Sequence, residues 1–100
     1  SEYIIEGLAE SGWTAELWLA RGDLYRTRGN QRDLVHASEF YGNAIGLDPA
    51  LAAAHRGLGL SLMKIGRREE GGEALARYLE LAPEAADAKM IRLMVPARGQ

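Results

Sequence analysis

The spacing of glycine and proline residues restricts the fold of this chain more than any other feature of its sequence. A pair of glycines seven residues apart begins at Gly22 and recurs 37 residues later at Gly59. Pro49 and Pro83 are separated by a similar distance of 34 residues. A fixed period of this size is typical of proteins that repeat one supersecondary unit along the chain. The spacing therefore predicts two copies of one unit.

The two periods differ by three residues, so one copy carries an insertion. Because both glycine pairs have the same spacing, the three extra residues of the first copy lie between Gly29 and Ala37. We expect them in a solvent-facing turn, where an insertion costs well under about 1 kcal/mol of loop-closure entropy. An insertion in the interior of a helix would instead rotate its apolar face away from the core.

The composition favours helices and a single small domain. The 100 residues include 16 alanines and 14 leucines but nine Ile, Val and Thr residues, which leaves little material for strands. Gly29 and Gly66 suit the left-handed conformation that ends a helix. Asp33 and Asp48 can cap a helix start. The sequence therefore predicts an all-α fold of five to six helices, near 2–10, 15–28, 34–47, 50–65, 67–81 and 84–94.

Gly22 and Gly59 fall inside predicted helices, where each glycine costs about 1 kcal/mol relative to alanine. We expect both to mark points where the two helices of a copy approach closely, because glycine lets two backbones come near each other. The side chains predicted to pack around these contacts are Ala37, Ala44, Ala74, Trp18, Tyr25, Tyr41, Leu62, Leu75 and Tyr78.

The residues at these positions resemble the tetratricopeptide repeat (TPR) family, whose pattern W-x2-L-G-x2-Y, A-x3-F and P extends over 34 residues. The matching residues of the first copy are Trp18, Gly22, Tyr25, Ala37, Tyr41, Ala44 and Pro49. Those of the second copy are Leu58, Gly59, Leu62, Leu75 and Pro83, with Gly71 and Tyr78 at the two alanine positions. Arg21 and His55 depart from the pattern, and we expect both amphipathic side chains to lie half-exposed.

The resemblance implies one domain, a solenoid of antiparallel helix hairpins over residues 1–100. Repeat one spans about 15–51, repeat two about 52–85, and a capping helix about 86–95. Solenoids need such a terminal helix because their last apolar face would otherwise contact water.

The charges and residue types exclude several functions. Twelve Lys and Arg residues against 14 Asp and Glu residues give a net charge of -2, which offers a nucleic acid no positive field. The chain lacks cysteine, and no apolar run approaches the roughly 18 residues that span a bilayer. His36 and His55 lie in different predicted helices, and neither has His, Asp or Glu four residues later. We therefore predict no enzyme activity, metal, cofactor, nucleic-acid partner or membrane insertion.

A protein or peptide partner is the remaining class. In the family that the chain resembles, the first helix of each hairpin lines a concave groove. The residues on that surface here are Glu16, Leu19, Asp23, Arg26, Arg56, Leu60, Met63, Lys64, Asp87, Met90 and Met94. An apolar stripe bordered by charges suits an amphipathic helix or an extended peptide. Ordinary solvent exposure is the alternative for each side chain.

The chaperone-binding members of that family hold a peptide carboxylate with Lys, Asn and Arg residues. Leu19 and Asp23 stand where the first Lys and the Asn would be, and Asp87 stands where a later Lys would be. The resemblance therefore argues against a carboxylate clamp in this chain.

Two alternatives stay open. Residues 78–87 resemble the ends of repeat segments that follow bacterial zinc-peptidase domains, and the chain starts with Ser1, so it could be the C-terminal segment of a larger enzyme. Repeat arrays need about three repeats for stability, so a homodimer could supply the missing contacts. Ten Arg against two Lys hint at a bacterial protein of the cytoplasm or the periplasm.

Overall fold

A computed structural model describes residues 14–95. The helices are α1 (Ala15–Arg28), α2 (Gln31–Leu47), α3 (Ala52–Lys64), α4 (Arg68–Leu81) and α5 (Ala88–Met94). Residues 14–95 contain helices and connecting turns but no strand, which confirms the predicted all-α fold. The helix predicted near 2–10 lies outside the described residues.

Gly29 and Gly66 end α1 and α3, as the sequence predicts. Both have positive φ angles, 78° and 91°. After α3, the N–H of Gly66 donates to the carbonyl of Met63 at 3.2 Å. The N–H of Arg67 donates to the carbonyl of Leu62 at 2.9 Å. These bonds satisfy carbonyl groups that have no donor inside the helix.

The start of α2 differs from the prediction, because Asn30 caps this helix instead of Asp33. The Asn30 Oδ1 accepts the backbone N–H of Asp33 at 2.9 Å, and its Nδ2 donates to the Asp33 carboxylate at 2.9 Å. This reciprocal pair lets the helix begin at Gln31. The three inserted residues therefore form the first turn of α2, and the prediction that they lie in a connecting turn is wrong. Added at a helix end, they leave the buried face of α2 in register.

The third and fifth helices begin later than predicted, at Ala52 and Ala88. Asp48 does not cap α3, because its carboxylate accepts the N–H of Ala50 at 3.2 Å within the preceding turn. The prolines that follow α2 and α4 lie in these turns, where a fixed φ and a missing N–H are tolerated.

The helices form two equivalent hairpins. Helix α1 packs against α2 and α3 packs against α4, while α3 also packs against both helices of the first hairpin. Helices α1 and α3 start 37 residues apart, at Ala15 and Ala52. Helices α2 and α4 end 34 residues apart, at Leu47 and Leu81. The 37-residue period of the sequence is therefore the spacing between the first helices of the two hairpins, and the 34-residue period is the spacing between their second helices. Helix α5 packs against α4.

Gly22 and Gly59 lie where the helices of each hairpin approach closely, as predicted. A Cβ at Gly22 would lie 2.8 Å from the ring of Tyr41, and a Cβ at Gly59 would lie 2.5 Å from Cγ of Leu75. The ring of Tyr41 also fills the space beside Gly57 of α3, where a Cβ would overlap it. Tyr41 therefore touches both hairpins.

The two residues that depart from the repeat pattern behave differently. Arg21 is half-buried, as predicted, and its guanidinium lies 4.9 Å from the ring centre of Tyr25. His55 is buried, so the expectation of half-exposure is wrong for this residue. Its Nε2 lies 2.9 Å from the carbonyl oxygen of Pro49, which gives the buried ring a polar partner. None of the helices within residues 14–95 is long and apolar enough to cross a membrane.

Replacement of Gly57 tests the close contact between the hairpins. We expect Gly57→Ala to lower the unfolding free energy by about 1–3 kcal/mol, because the added methyl group overpacks against the buried Tyr41 ring. Gly42→Ala on the exposed face of α2 is the matched control, since nothing lies within 4 Å of a Cβ there. It should raise the unfolding free energy by about 0.5–1 kcal/mol through helix propensity. Urea unfolding followed by circular dichroism measures both, and a stabilised Gly57→Ala variant would contradict the contact.

Candidate functional site

The predicted groove residues lie on α1, α3 and α5 and differ in exposure. Glu16, Lys64 and Met90 are exposed, Met90 by 55%. The others are half-buried, namely Leu19, Asp23, Arg26, Arg56, Leu60, Met63, Asp87 and Met94. Most side chains of the predicted surface are therefore partly buried against the protein and partly accessible to solvent.

The apolar residues of the predicted surface do not form one cluster. Leu60, Met63 and Met94 pack around the buried side chains at the contact between α4 and α5. Leu19 packs instead around buried alanines where α1, α2 and α3 meet. The structure thus brings the α3 and α5 members together and keeps Leu19 with the first hairpin.

Asp23 and Arg26 are held by the hydroxyl of Tyr41. This hydroxyl donates to the carboxylate of Asp23 and accepts the Nε–H of Arg26 at 2.9 Å. Arg26 and Asp23 also form an ion pair at 3.7 Å along α1. Burial, and then the bond to the carboxylate, raises the pKa of Tyr41 above its ordinary value. Tyr41 therefore stays protonated at neutral pH and remains the donor to Asp23.

A second network joins Arg56, Tyr78 and Asp87, the residue that precedes α5. The Nε–H of Arg56 donates to Asp87 Oδ2 at 2.6 Å, and the hydroxyl of Tyr78 donates to Oδ1 at 2.5 Å. The bond from Tyr78, followed by the bond from Arg56, lowers the pKa of Asp87. The same Tyr78–Asp87 bond, followed by burial, raises the pKa of Tyr78. The network ties the start of α5 to α3 and α4.

In both networks, charged side chains of the predicted surface form hydrogen bonds with other residues of the chain. A ligand would therefore meet hydrogen-bonded pairs rather than isolated ions, which weakens long-range attraction of a charged ligand. The side chain of Asp23 is 50% exposed and that of Arg26 is 30% exposed. Their remaining lone pairs and N–H groups can still hydrogen-bond a peptide backbone.

The second copy has apolar side chains where the first copy has its network. The residues that correspond to Asp23, Arg26 and Tyr41 are Leu60, Met63 and Leu75. On α3, the candidate surface is consequently apolar between Arg56 and Lys64, whereas the equivalent positions on α1 are charged.

Sequence reasoning missed Tyr41 and Tyr78 as polar members of the site. It assigned both residues to the core, which is correct for their rings, as both are buried. A buried tyrosine hydroxyl usually has a hydrogen-bond partner, so these two residues were a usable signal for a nearby polar side chain. Asp87 was assigned to the groove, but not as the acceptor of two bonds. Within residues 14–95, no three His, Cys, Asp or Glu side chains are grouped so that they could hold a metal ion.

The lowered pKa of Asp87 predicts a pH-dependent contribution to stability. Asp87→Asn should lower the unfolding free energy at neutral pH by about 1 kcal/mol, because it removes charged hydrogen bonds at a partly exposed site. The folded-state pKa of Asp87 lies below its ordinary value of 3.8, so the carboxylate stabilises the fold at pH values above that ordinary pKa. This contribution is lost as the pH falls through the lower folded value.

Urea unfolding of the native chain and of Asp87→Asn between about pH 7 and pH 2 checks this prediction. The difference between them should shrink in acid. Glu84→Gln, an exposed carboxylate in the same turn, is the control and should change little at any pH. A deficit of Asp87→Asn that stays constant across the range would contradict the assigned role.

No protein-family model matches this chain, and no curated protein matches its sequence.

Proposed function

We propose that the chain is a non-catalytic protein-interaction module that binds a peptide or a partner helix along the groove lined by α1, α3 and α5. One observation carries the proposal: Leu60, Met63 and Met94 are half-buried around one cluster and keep an accessible edge, with Met90 more exposed on α5. Methionine side chains adapt their shape, which suits them to surfaces that bind apolar anchors of a partner.

The two hydrogen-bonded networks support the same function from the polar side. Asp23 and Arg26 lie on α1, and Arg56 and Asp87 connect α3 to the start of α5. An apolar centre with polar groups around it is the usual composition of a protein interface. Because these charges already have partners within the chain, we expect apolar contacts to dominate the affinity.

Substitution of exposed side chains tests the groove without disturbing the core. Peptides selected from a random library on the full chain provide the ligand, and fluorescence anisotropy measures the dissociation constant. Met90→Glu should weaken binding at least tenfold, because about 1.4 kcal/mol of apolar contact is replaced by a buried charge. Leu47→Glu at the end of α2 is the control, since Leu47 is exposed to a similar degree, 57% against 55%.

Circular dichroism should show that both variants keep the native fold. Increasing the salt concentration should change the dissociation constant by less than about threefold, because exposed ions contribute little. Equal affinities of the native chain and Met90→Glu, or equal losses in both variants, would exclude the groove as the binding surface.

Self-association is a second candidate function, which the exposed face of α1 favours. Leu17 and Leu24 are 48% and 51% exposed, whereas the corresponding residues of α3, Ala54 and Ser61, are fully buried. In α3, Ala54 of this face lies in one buried cluster with Ala44 of α2, which belongs to the preceding hairpin. A second copy of the chain could cover the equivalent apolar face of α1.

Sedimentation velocity over a concentration series tests this candidate. The native chain should shift from monomer to dimer as its concentration rises. Leu24→Lys should stay monomeric, because a charge in the apolar face opposes its burial. A native chain that is monomeric at every concentration would remove self-association as a function.

A further inference from the structure

The two hairpins differ on a face that the groove does not use. In the first hairpin this face carries an aromatic cluster centred on Phe40 of α2. The ring of Phe40 stacks on Trp18 at 5.8 Å and meets Tyr25 edge to face at 5.1 Å between ring centres. His36 stacks on the same ring at 6.4 Å, and the guanidinium of Arg21 lies 5.3 Å from its centre.

The second hairpin lacks this cluster, because smaller or charged residues occupy the equivalent positions. The residues that correspond to Trp18, Arg21, Tyr25, His36 and Phe40 are His55, Leu58, Leu62, Glu70 and Ala74. The largest change is the loss of the phenyl ring at Ala74. These five residues line an open cavity of about 390 Å³, which we call the α3–α4 pocket. A volume of this size is within the range of pockets that bind small ligands and side chains.

The walls of the α3–α4 pocket are apolar and well held. Leu62 and Ala74 are buried, and Leu58 is half-buried beside them. His55 is kept in place by its contact with the carbonyl oxygen of Pro49. Since α3 and α4 repeat the backbone of α1 and α2, this space is where the second hairpin would hold a ring equivalent to that of Phe40.

The rim of the pocket is acidic. Glu70 and Glu73, both exposed, line it from α4. Arg77 also lines it, and its guanidinium donates to Glu80 at 3.1 Å. Because the guanidinium of Arg77 is already paired with Glu80, the carboxylate of Glu70 leaves a negative charge at the entrance that favours a cationic group.

We propose that the α3–α4 pocket binds an aromatic side chain of a partner protein whose neighbouring residue is Lys or Arg. The ring takes the place that Phe40 fills in the first hairpin, and the cation lies beside Glu70. This site is separate from the groove, because Leu58 and Leu62 lie on a different face of α3 from Leu60 and Met63 at 100° per residue. It therefore goes beyond the proposed groove function and does not depend on it.

Nuclear magnetic resonance titration of the full chain with short blocked peptides tests the pocket. The probe is acetyl-Gly-Phe-Lys-Gly-amide, and its two controls carry Glu in place of Lys or Ala in place of Phe. The Phe-Lys peptide should cause saturable shifts at the amides of Leu58, Leu62 and Ala74, with a dissociation constant on the order of millimolar. Both control peptides should bind at least threefold more weakly. Absence of saturable shifts, or equal binding of all three peptides, would overturn the proposal.

Two variants of the chain locate the binding site. Ala74→Phe fills the pocket from within, as Phe40 does in the first hairpin, and should abolish the shifts while keeping the native melting temperature or raising it. Glu70→Lys leaves the cavity open and should reverse the preference between the Lys and Glu peptides. If Ala74→Phe does not fold, the peptide preference of Glu70→Lys decides whether the proposal holds.

Met90→Glu, which alters the groove, should bind the Phe-Lys peptide like the native chain. Retained shifts in a folded Ala74→Phe, or an unchanged preference in Glu70→Lys, would overturn the proposal. Failure of the groove and failure of the α3–α4 pocket are therefore distinguishable.

Discussion

The packing of Tyr41 between Gly22 and Gly57 is the contact on which both hairpins depend. The ring is fully buried, and neither glycine position has room for a Cβ atom beside it. Gly22 belongs to the same hairpin as Tyr41 and Gly57 to the next, so one ring sets the approach of three helices. Interiors of proteins are close-packed, and a single methyl group at either glycine would therefore be felt by all three. The hydroxyl of Tyr41 adds direction, because both of its partners, Asp23 and Arg26, belong to α1.

The contact with α5 also depends on a tyrosine hydroxyl bonded to an aspartate, but the tyrosine occupies a different position in the second hairpin. Leu75 replaces the ring of Tyr41 in the second hairpin, and the tyrosine of that hairpin, Tyr78, binds Asp87 at the next turn. A buried hydroxyl without a partner costs about 1–3 kcal/mol, so an arrangement that separated Tyr78 from Asp87 would be disfavoured. Helix α5 has seven residues, too few to be stable alone, and depends on this bond and on the burial of Ile91.

The wrong predictions from the sequence include the residue that caps α2, the place of the three inserted residues and the exposure of His55. Asn30 and Asp33 can both cap a helix, and Asn30 does so because the left-handed Gly29 before it has already ended α1. The three inserted residues could extend either a turn or a helix end, since both leave the buried face in register. His55 was expected to be amphipathic and half-exposed, but a carbonyl group six residues away satisfies it inside the core.

Periodicity predicted the two hairpins, because residue spacing alone decides which positions share a helix face. It also predicted the glycines that end α1 and α3 and the glycines at the helix contacts. The assignment of the candidate surface to α1, α3 and α5 came instead from the resemblance to the repeat family, and it stays a prediction. Periodicity did not reveal that Asp23 bonds Tyr41 or that Arg56 bonds Asp87, whose partners are 18 and 31 residues away. Such pairings, and the cavity beside Ala74, depend on where packed helices bring side chains that are distant in the chain.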